Sequence, residues 1–131
     1  DRPAITTDII VGFPGETEED FERTLEVCGL VNFAKIHVFP FSPRRGTPAA
    51  DLKPPVPGTV IRQRAQILHR LDADLQQKFR RKFIGETVRV IVEQTDPPQG
   101  RSDRYFTVDC SNVEHNEPFR KGQVLYTTLG E

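Results

Sequence analysis

The residues best suited to chemistry in this chain stand in a glycine-rich turn after a β-branched run. Residues 6–11 read Thr-Thr-Asp-Ile-Ile-Val, and residues 12–17 read Gly-Phe-Pro-Gly-Glu-Thr. Gly12 lacks a Cβ, so the backbone at this point can approach a ligand closely. We predict a strand that ends at this turn and a helix that follows it, which is one half of a parallel βα unit. Such units bind ligands at the carboxyl ends of their strands, here at residues 12–16.

No nucleophile and general base stand together elsewhere in the sequence. Asp8 interrupts an apolar run, where burial of a carboxylate is costly, so we expect it to form a structural ion pair. His37, His69 and His115 lack neighbours at the spacing of metal ligands, so each is expected to be structural. The sequence therefore predicts neither a catalytic residue nor a metal site.

The two cysteines, Cys28 and Cys110, are too few for a disulfide framework or a metal site. Each is in step with a predicted apolar face, which favours a small buried hydrophobic side chain and a reducing, cytoplasmic compartment. The chain has 131 residues, a net charge of −1 and no methionine. It is expected to be one domain or two small ones, with no membrane span, no signal peptide and no overall attraction to nucleic acid. The missing initiator methionine suggests a piece of a longer protein.

Hydrophobic periodicity predicts the elements around the glycine turn. We predict a strand at 4–13 that is buried on both faces, a helix at 17–31 capped by Thr17, and a strand at 34–41 that stops near Pro40. Together they make a right-handed βαβ unit. Prolines and glycines at 42–58 are expected to prevent a regular element there. That segment is either a stiff connector or an active-site loop.

The rest of the chain changes from a helical period to a period of two. A long helix is predicted at 59–82, with Thr59 as its N-cap and Gly85 after its end. Strands are predicted at 87–93, 104–110 and 123–129, with a turn at 96–100. The fold class is therefore α/β followed by all-β, and the short strands favour a small barrel or meander.

Basic residues are concentrated near the end of the long helix and in the predicted β region. Arginine side chains suit phosphate, and an exposed tyrosine can stack on an unpaired base. The alternative for each residue is a solvated surface with local ion pairs. The candidate RNA-binding residues are Arg80, Arg81, Lys82, Arg89, Arg101, Arg104, Tyr105 and Lys121.

Three stretches resemble the methylthiotransferase branch of the radical S-adenosylmethionine (SAM) enzymes. The sequence GFPGET after TTDIIV resembles their fifth barrel strand, and HVFPFSPRRGTPAA at 37–50 resembles the sixth strand and its loop. The opening HVFPFSPR most resembles the subgroup that thiomethylates threonylcarbamoyladenosine in tRNA. The region from Phe83 resembles a TRAM domain, a small β-barrel that binds RNA.

The resemblance implies three parts: the last βαβ portion of a partial TIM barrel at 1–58, a linking helix at 59–82, and a TRAM-like or OB-like β-barrel at 83–131. In the family's fifth-strand motif, G-x-I-x-G-x-x-E, the backbone passes beside the adenine of SAM. Ile10 and Gly12 match the Ile and the second Gly, and Glu16 follows one residue later than the Glu. The implied cofactor-binding residues are Ile10, Val11, Gly12, Phe13, Phe39, Pro40 and Phe41.

The family also binds a 4Fe–4S cluster through three cysteines at the spacing C-x₃-C-x₂-C, because thiolates hold iron in clusters. Neither Cys28 nor Cys110 has this spacing. We therefore expect the C-terminal part of a longer enzyme, inactive and without bound cofactor when alone.

The implied reaction adds a methylthio group to C2 of an N6-modified adenosine, with N6-threonylcarbamoyladenosine favoured and the tRNA anticodon arm as partner. The alternatives are a ribosomal-protein methylthiotransferase and a non-enzymatic RNA-binding module. Strands built for burial on both faces also predict that the piece needs the remainder of the barrel, and otherwise associates with itself or exposes an apolar patch.

Overall fold

The computed structural model describes residues 2–114 and 116–130, so the prediction for His115 lies outside the described residues. These residues form a mixed α/β structure with two α-helices and two β-sheets. The chain divides into two compact units, one of Ile5–Gln76 and one of the residues before and after it. The division falls within the longer helix. None of the described helices is long and apolar enough to cross a membrane.

The unit of Ile5–Gln76 holds a β-α-β arrangement. Strand β1 (Thr6–Val11) and strand β2 (Lys35–Pro40) pair in parallel, and helix α1 (Glu18–Val31) connects them. The register places Ile10 beside Phe39 and Val11 beside Pro40. The two predicted strands and their helix are thus present, and the ladder stops at Pro40 as expected. Both strands are shorter than predicted at their ends.

Helix α1 begins with the expected cap. The amide of Asp20 donates a hydrogen bond to Thr17 Oγ1 at 3.1 Å, and the amide of Thr17 donates to Asp20 Oδ2 at 2.9 Å. These two bonds form a capping box in which aspartate replaces the usual glutamate. The hydrogen bonds from Thr17 lower the pKa of Asp20. The helix ends at Asn32, which adopts the left-handed conformation with φ 56°.

Helix α2 (Gly58–Arg81) and α1 cover one face of the parallel sheet. The core between them consists of Val11, Phe21, Cys28, Ile36, Ala65, Leu68 and Leu75. The prediction that β1 is buried on both faces is wrong, because only one face meets these helices. Ile10 points to the other face and is 56% exposed. Apolar side chains are therefore exposed on this face of the sheet.

Two further predictions need correction in this unit. A short 3₁₀ helix at Pro48–Asp51 interrupts the segment that was expected to lack regular structure. Its proline occupies the first turn, where the missing amide donor is tolerated. Helix α2 begins at Gly58, where Ile61 N donates to Pro57 O at 3.0 Å, so Thr59 lies inside the helix and is not its N-cap.

The second unit is built on an antiparallel sheet of four strands. They are β3 (Thr87–Thr95), β4 (Pro98–Ser102), β5 (Thr107–Asp109) and β6 (Val124–Thr128), in the order β5-β4-β3-β6. The inward side chains follow the predicted period of two: Val88, Val90, Val92, Phe106, Val108, Cys110 and Leu125 are all buried. Within the described residues β5 and β6 do not pair, so the sheet is open and the expected closure into a barrel is not seen.

Strand β4 was predicted to be a turn, and that prediction is wrong. Pro98 is the first residue of the strand, a position where a missing amide donor is tolerated. Gly100 lies against β3 so closely that a Cβ would stand 2.4 Å from Val90 Cγ1 and 2.6 Å from the Ile91 carbonyl oxygen. Pro98 and Gly100 are therefore compatible with a strand at these positions. The strand predicted at 104–110 is shortened to β5, and Tyr105 adopts φ 68° in the preceding turn.

Candidate cofactor and nucleic-acid sites

The turn after β1 depends on Gly12 for a packing reason. Its φ of 79° lies in the left-handed region, and a Cβ there would stand 2.4 Å from Ile61 Cγ1. The space that glycine leaves is thus taken by the side chain of Ile61. Gly12 is required for the approach of α2, whether or not a ligand also passes its backbone.

Glu16 holds this turn in shape. Its carboxylate accepts a hydrogen bond from the backbone N–H of Gly12. The same carboxylate oxygen lies 3.1 Å from Nη1 of Arg64, whose side chain is 6% exposed. Glu16, which stands one residue later than the Glu of the family's motif, therefore ties both ends of the turn to α2.

Arg64 is the buried centre of this network. Besides Glu16 it contacts Glu18 Oε2 at 2.9 Å, and its guanidinium lies 5.3 Å from the centre of the Phe21 ring. Burial by itself would lower the pKa of Arg64, but the hydrogen bonds and charges of Glu18 and Glu16 outweigh it and raise the pKa. The burial of Arg64 was not predicted, although Arg64 falls three residues after Ile61 and four before Leu68, on the apolar face of the helix.

Four of the predicted cofactor residues surround one surface cavity. Ile10, Phe39, Pro40 and Phe41 line a cavity of about 410 Å³ on the open face of the parallel sheet, together with Asp8, Ser42 and Arg44. Phe39 is 51% exposed there. An apolar wall with a few polar groups at its edge is typical of a small-molecule site.

The other three predicted cofactor residues lie differently. Phe13 packs edge to face on Phe41, with ring centres 5.3 Å apart, so it supports the wall of the cavity. Val11 is fully buried in the core, and Gly12 faces Ile61. These two residues have only backbone atoms to offer a ligand. Their role in cofactor binding stays a prediction.

Asp8 does not form the structural ion pair that its apolar surroundings suggested. It points to the open face of the sheet and is exposed, and it makes no ion pair with another described residue. Because water solvates its carboxylate, the burial penalty that predicted a partner does not arise. Its neighbour in the parallel register is His37, which is also exposed.

The cysteines are both buried, as predicted, and burial raises the pKa of each thiol. They belong to different compact units. The described residues contain no group of His, Cys, Asp and Glu side chains that could hold a metal ion. The sequence has two cysteines, one fewer than the C-x₃-C-x₂-C motif uses.

The predicted RNA-binding residues differ in how far their side chains are already engaged. Arg101 forms a bidentate ion pair with Glu93, with distances of 2.9 and 3.0 Å. Arg80 donates to the carbonyl oxygen of Gly130 at 2.9 Å, and the guanidinium of Arg104 lies 5.6 Å from the Phe83 ring centre. These contacts leave fewer donors for phosphate.

The remaining candidates are all exposed: Arg81, Lys82, Arg89, Lys121 and Tyr105. Of these, Lys82 also places its Nζ 5.6 Å from the centre of the Phe79 ring. Arg80 and Arg81 line a surface cavity of about 730 Å³ with Gln77 and Ile84. Tyr126 on β6 was not among the candidates predicted from the sequence, and it is 67% exposed. Its position one residue after the buried Leu125 was the available signal, since alternate strand residues face opposite sides.

Comparison with known proteins places this chain among methylthiotransferases. The tRNA-2-methylthio-N(6)-dimethylallyladenosine synthase of Corynebacterium efficiens is 49% identical over 90 residues, which cover 69% of this chain and 17% of that protein. The synthase of the same name from Salinispora arenicola is 39% identical over 136 residues, covering 96% of this chain and 27% of that protein.

A relative with a different substrate in its name matches equally well. The threonylcarbamoyladenosine tRNA methylthiotransferase MtaB of Thermotoga maritima is 46% identical over 90 residues, covering 69% of this chain and 21% of that protein. No family model matches the chain. On these relatives, the chain belongs to the methylthiotransferase family, as the sequence resemblance predicted. It spans only about a fifth of the length of the curated relatives it matches.

Proposed function

We propose that this chain is the C-terminal part of a radical SAM methylthiotransferase that acts on tRNA in the cytoplasm. The observation that carries the proposal is the 39% identity to a tRNA-modifying synthase over 96% of the chain, because it extends through both compact units. The target is an N6-modified adenosine that receives a methylthio group at C2. The opening HVFPFSPR favours N6-threonylcarbamoyladenosine over N6-dimethylallyladenosine.

In this proposal the unit of Ile5–Gln76 supplies part of the cofactor site. The cavity beside Ile10 and Phe39 offers an apolar wall for an adenine ring, and Pro40 and Phe41 also line it. Glu16 and Arg64 hold the neighbouring turn in one conformation. SAM supplies the radical chemistry when the whole protein binds it. The cluster that activates SAM requires cysteines from outside this chain.

The second unit, with the end of α2, docks the tRNA. Arg81 and Lys82 stand in the last turn and just after it, and exposed Arg89 and Lys121 add to the positive charge. Arginine and lysine side chains that contact phosphates release counterions, which makes binding fall steeply with salt. A local basic surface of this kind can bind RNA although the whole chain has a net charge of −1.

Binding of a tRNA anticodon stem-loop by the full chain at several salt concentrations tests the docking role. We expect Arg81→Gln with Lys82→Gln to reduce affinity about tenfold and to lower the slope of log affinity against log salt by about two. The matched control is Arg23→Gln with Arg62→Gln, which removes the same charge from other exposed helix positions. Equal losses in both pairs, or no binding at low salt, would reject tRNA docking by this chain and favour a protein substrate.

A further inference from the structure

The outer face of the antiparallel sheet carries a patch of aliphatic and aromatic side chains beside a basic one. Alternation along β3 turns Arg89 and Ile91 outward, and alternation along β6 turns Val124 and Tyr126 outward. Ile91, Val124 and Tyr126 are 48%, 51% and 67% exposed. Folding of the sheet does not require them, because its core lies on the opposite face, beneath Val90 and Leu125. We call Arg89, Ile91, Val124 and Tyr126 the outer platform.

Strand register makes this platform continuous. Arg89 stands directly opposite Tyr126, and Ile91 stands directly opposite Val124. Side chains opposite each other on antiparallel strands have Cβ atoms roughly 5 Å apart, so each pair is in contact range. Arg89 and Tyr126 are therefore direct neighbours on the outer face, and Ile91 and Val124 form the adjacent pair. Because β6 is an edge strand, Tyr126 can be approached from the sheet edge as well as from above.

The charge of the platform is available to a ligand. Arg89 forms no ion pair through its side chain with another described residue. Glu93, the outward carboxylate two residues further along β3, is held by Arg101, and the positive charges of Arg101 and Lys121 help to lower its pKa. The other outward carboxylate of the sheet, Asp109, is on β5 at the opposite edge. The platform thus carries the positive charge of Arg89. The exposed Asp103, which follows the end of β4, donates its backbone N–H to the Arg89 carbonyl oxygen at 3.0 Å.

We propose that the outer platform binds single-stranded RNA, with an unpaired base stacked on Tyr126 and the adjacent phosphate held by Arg89. Ile91 and Val124 cover the edge of the stacked nucleotide. Base stacking on an exposed aromatic residue beside a cationic side chain is the usual way in which proteins hold unpaired nucleotides. This assignment rests on the proposed tRNA substrate, whose anticodon loop offers such nucleotides. It concerns residues separate from the basic end of α2.

Tyrosine fluorescence gives a direct test, because the chain has two tyrosines and no tryptophan. Tyr105→Phe leaves Tyr126 as the only tyrosine of the full chain. We expect an eight-nucleotide single-stranded RNA to quench its emission as it binds, and a duplex of the same length to quench it far less. Unchanged emission while the same RNA binds, as followed by anisotropy of a labelled strand, would overturn stacking on Tyr126.

Substitution separates the ring from the hydroxyl group and from the guanidinium. Loss of a stacking side chain lowers affinity by about tenfold, so Tyr126→Ala should do so whereas Tyr126→Phe should remain within about twofold. Arg89→Gln should weaken binding and lower the salt slope by about one. Thr107→Ala, an outward position on β5, is the matched control and should bind as the unchanged chain does. Circular dichroism of each variant checks that the sheet is intact.

The outcomes distinguish this inference from the proposed function. Salt-dependent tRNA binding that is unaffected by Tyr126→Ala and Arg89→Gln would reject the platform and keep the docking role of Arg81 and Lys82. Failure of every RNA to bind would reject both. Dimer formation without RNA that disappears in Tyr126→Ala, measured by sedimentation, would assign the platform to a second copy of this chain and overturn the RNA proposal.

Discussion

The two compact units expose apolar side chains for different structural reasons. The parallel sheet of β1 and β2 has helices on one face only, and Ile10 and Phe39 on its other face are more than half exposed. Parallel sheets in proteins are normally covered on both faces, whereas an antiparallel sheet commonly leaves one face in water. The first unit therefore exposes a face suited to burial. The antiparallel sheet exposes a mixed face on which Arg89 and Tyr126 stand together.

The two units also differ in how deeply their ion pairs are buried. The unit of Ile5–Gln76 contains a buried pair, Arg64 with Glu16, whose side chains are 6% and 11% exposed. The sheet unit contains an exposed pair, Arg101 with Glu93, at 45% and 48%. Removal of one partner leaves an unpaired charge away from water only in the buried ion pair. Replacing the arginine of the pair should therefore lower the free energy of unfolding strongly in the unit of Ile5–Gln76 and weakly in the sheet unit.

The largest effect is expected for Arg64→Met, which replaces the cation with a shorter, unbranched apolar side chain and leaves Glu16 buried without its cation. Breaking a buried pair costs about 3 kcal/mol or more of the free energy of unfolding. Chemical denaturation, followed by hydrogen exchange of α1 and β1 peptides, measures it. Arg101→Met is the matched change in the exposed pair, and it should fall within the range of ordinary surface substitutions.

A second substitution checks that the charge on Glu16 causes this loss. In Arg64→Met with Glu16→Gln no charge is stranded, while the amide oxygen can still accept from the N–H of Gly12. We expect the double variant to regain a large part of the lost stability. If it is as unstable as Arg64→Met alone, lost packing against Phe21 is the cause.

Two glycines of the same turn provide the next test. Gly12 and Gly15 both have positive φ, at 79° and 86°, but only Gly12 has a neighbour where a Cβ would stand. Gly15→Ala should cost about 1 kcal/mol through backbone strain alone. Gly12→Ala adds the clash with Ile61 and should cost about 2–4 kcal/mol. Equal losses, measured by urea denaturation, would mean that Ile61 moves aside freely.

The apolar faces can be compared by making the same change in each sheet. Ile10→Lys and Ile91→Lys replace isoleucines that are 56% and 48% exposed. If the open face of the parallel sheet is the surface that self-associates, Ile10→Lys should reduce hydrophobic-dye fluorescence by about half and shift the chain toward monomer, whereas Ile91→Lys should change both much less. Dye titration and sedimentation report the two quantities. A monodisperse, dye-free unchanged chain would refute the expectation of exposed, associating strands.

Local sequence predicted the features that depend on periodicity and caps. The capping box of Thr17 and Asp20, the parallel strands around α1, and the inward valines of β3 all follow from residues close together in the chain. Features set by distant partners were missed. Pro98 and Gly100 suggested a turn because the proximity of β3, which requires a glycine, is not visible locally.

In the candidate site, too, some features could be predicted from the sequence and others depend on distant residues. The rule that ligands bind at the carboxyl ends of parallel strands predicted a site at residues 12–16, and the family resemblance added Ile10 and Phe39, which line the cavity. The isolation of Asp8 and the burial of Arg64 depend on which face the helices cover, and α2 begins more than forty residues after β1. The outer platform needed the β3–β6 register, which pairs residues 37 positions apart in Arg89 and Tyr126.

The smallest predicted effect concerns the loss of stability at low pH. Hydrogen bonds from Thr17 lower the pKa of Asp20, and a hydrogen bond from Ser111 lowers the pKa of Asp109 in the other unit. A carboxylate whose pKa is lower in the folded state contributes stability above its unfolded pKa of about 3.9, and this contribution disappears as the pH falls through the folded value. Asp20→Asn should therefore flatten the loss of protection of α1 amides below about pH 4, and Asp109→Asn should leave α1 unchanged. Hydrogen exchange of α1 peptides across this range measures both. The asparagine amide keeps the hydrogen bond from Thr17 but not the negative charge. If α1 of Asp20→Asn loses its protection at low pH as the unchanged chain does, the charge of Asp20 does not make the stability of the helix depend on pH.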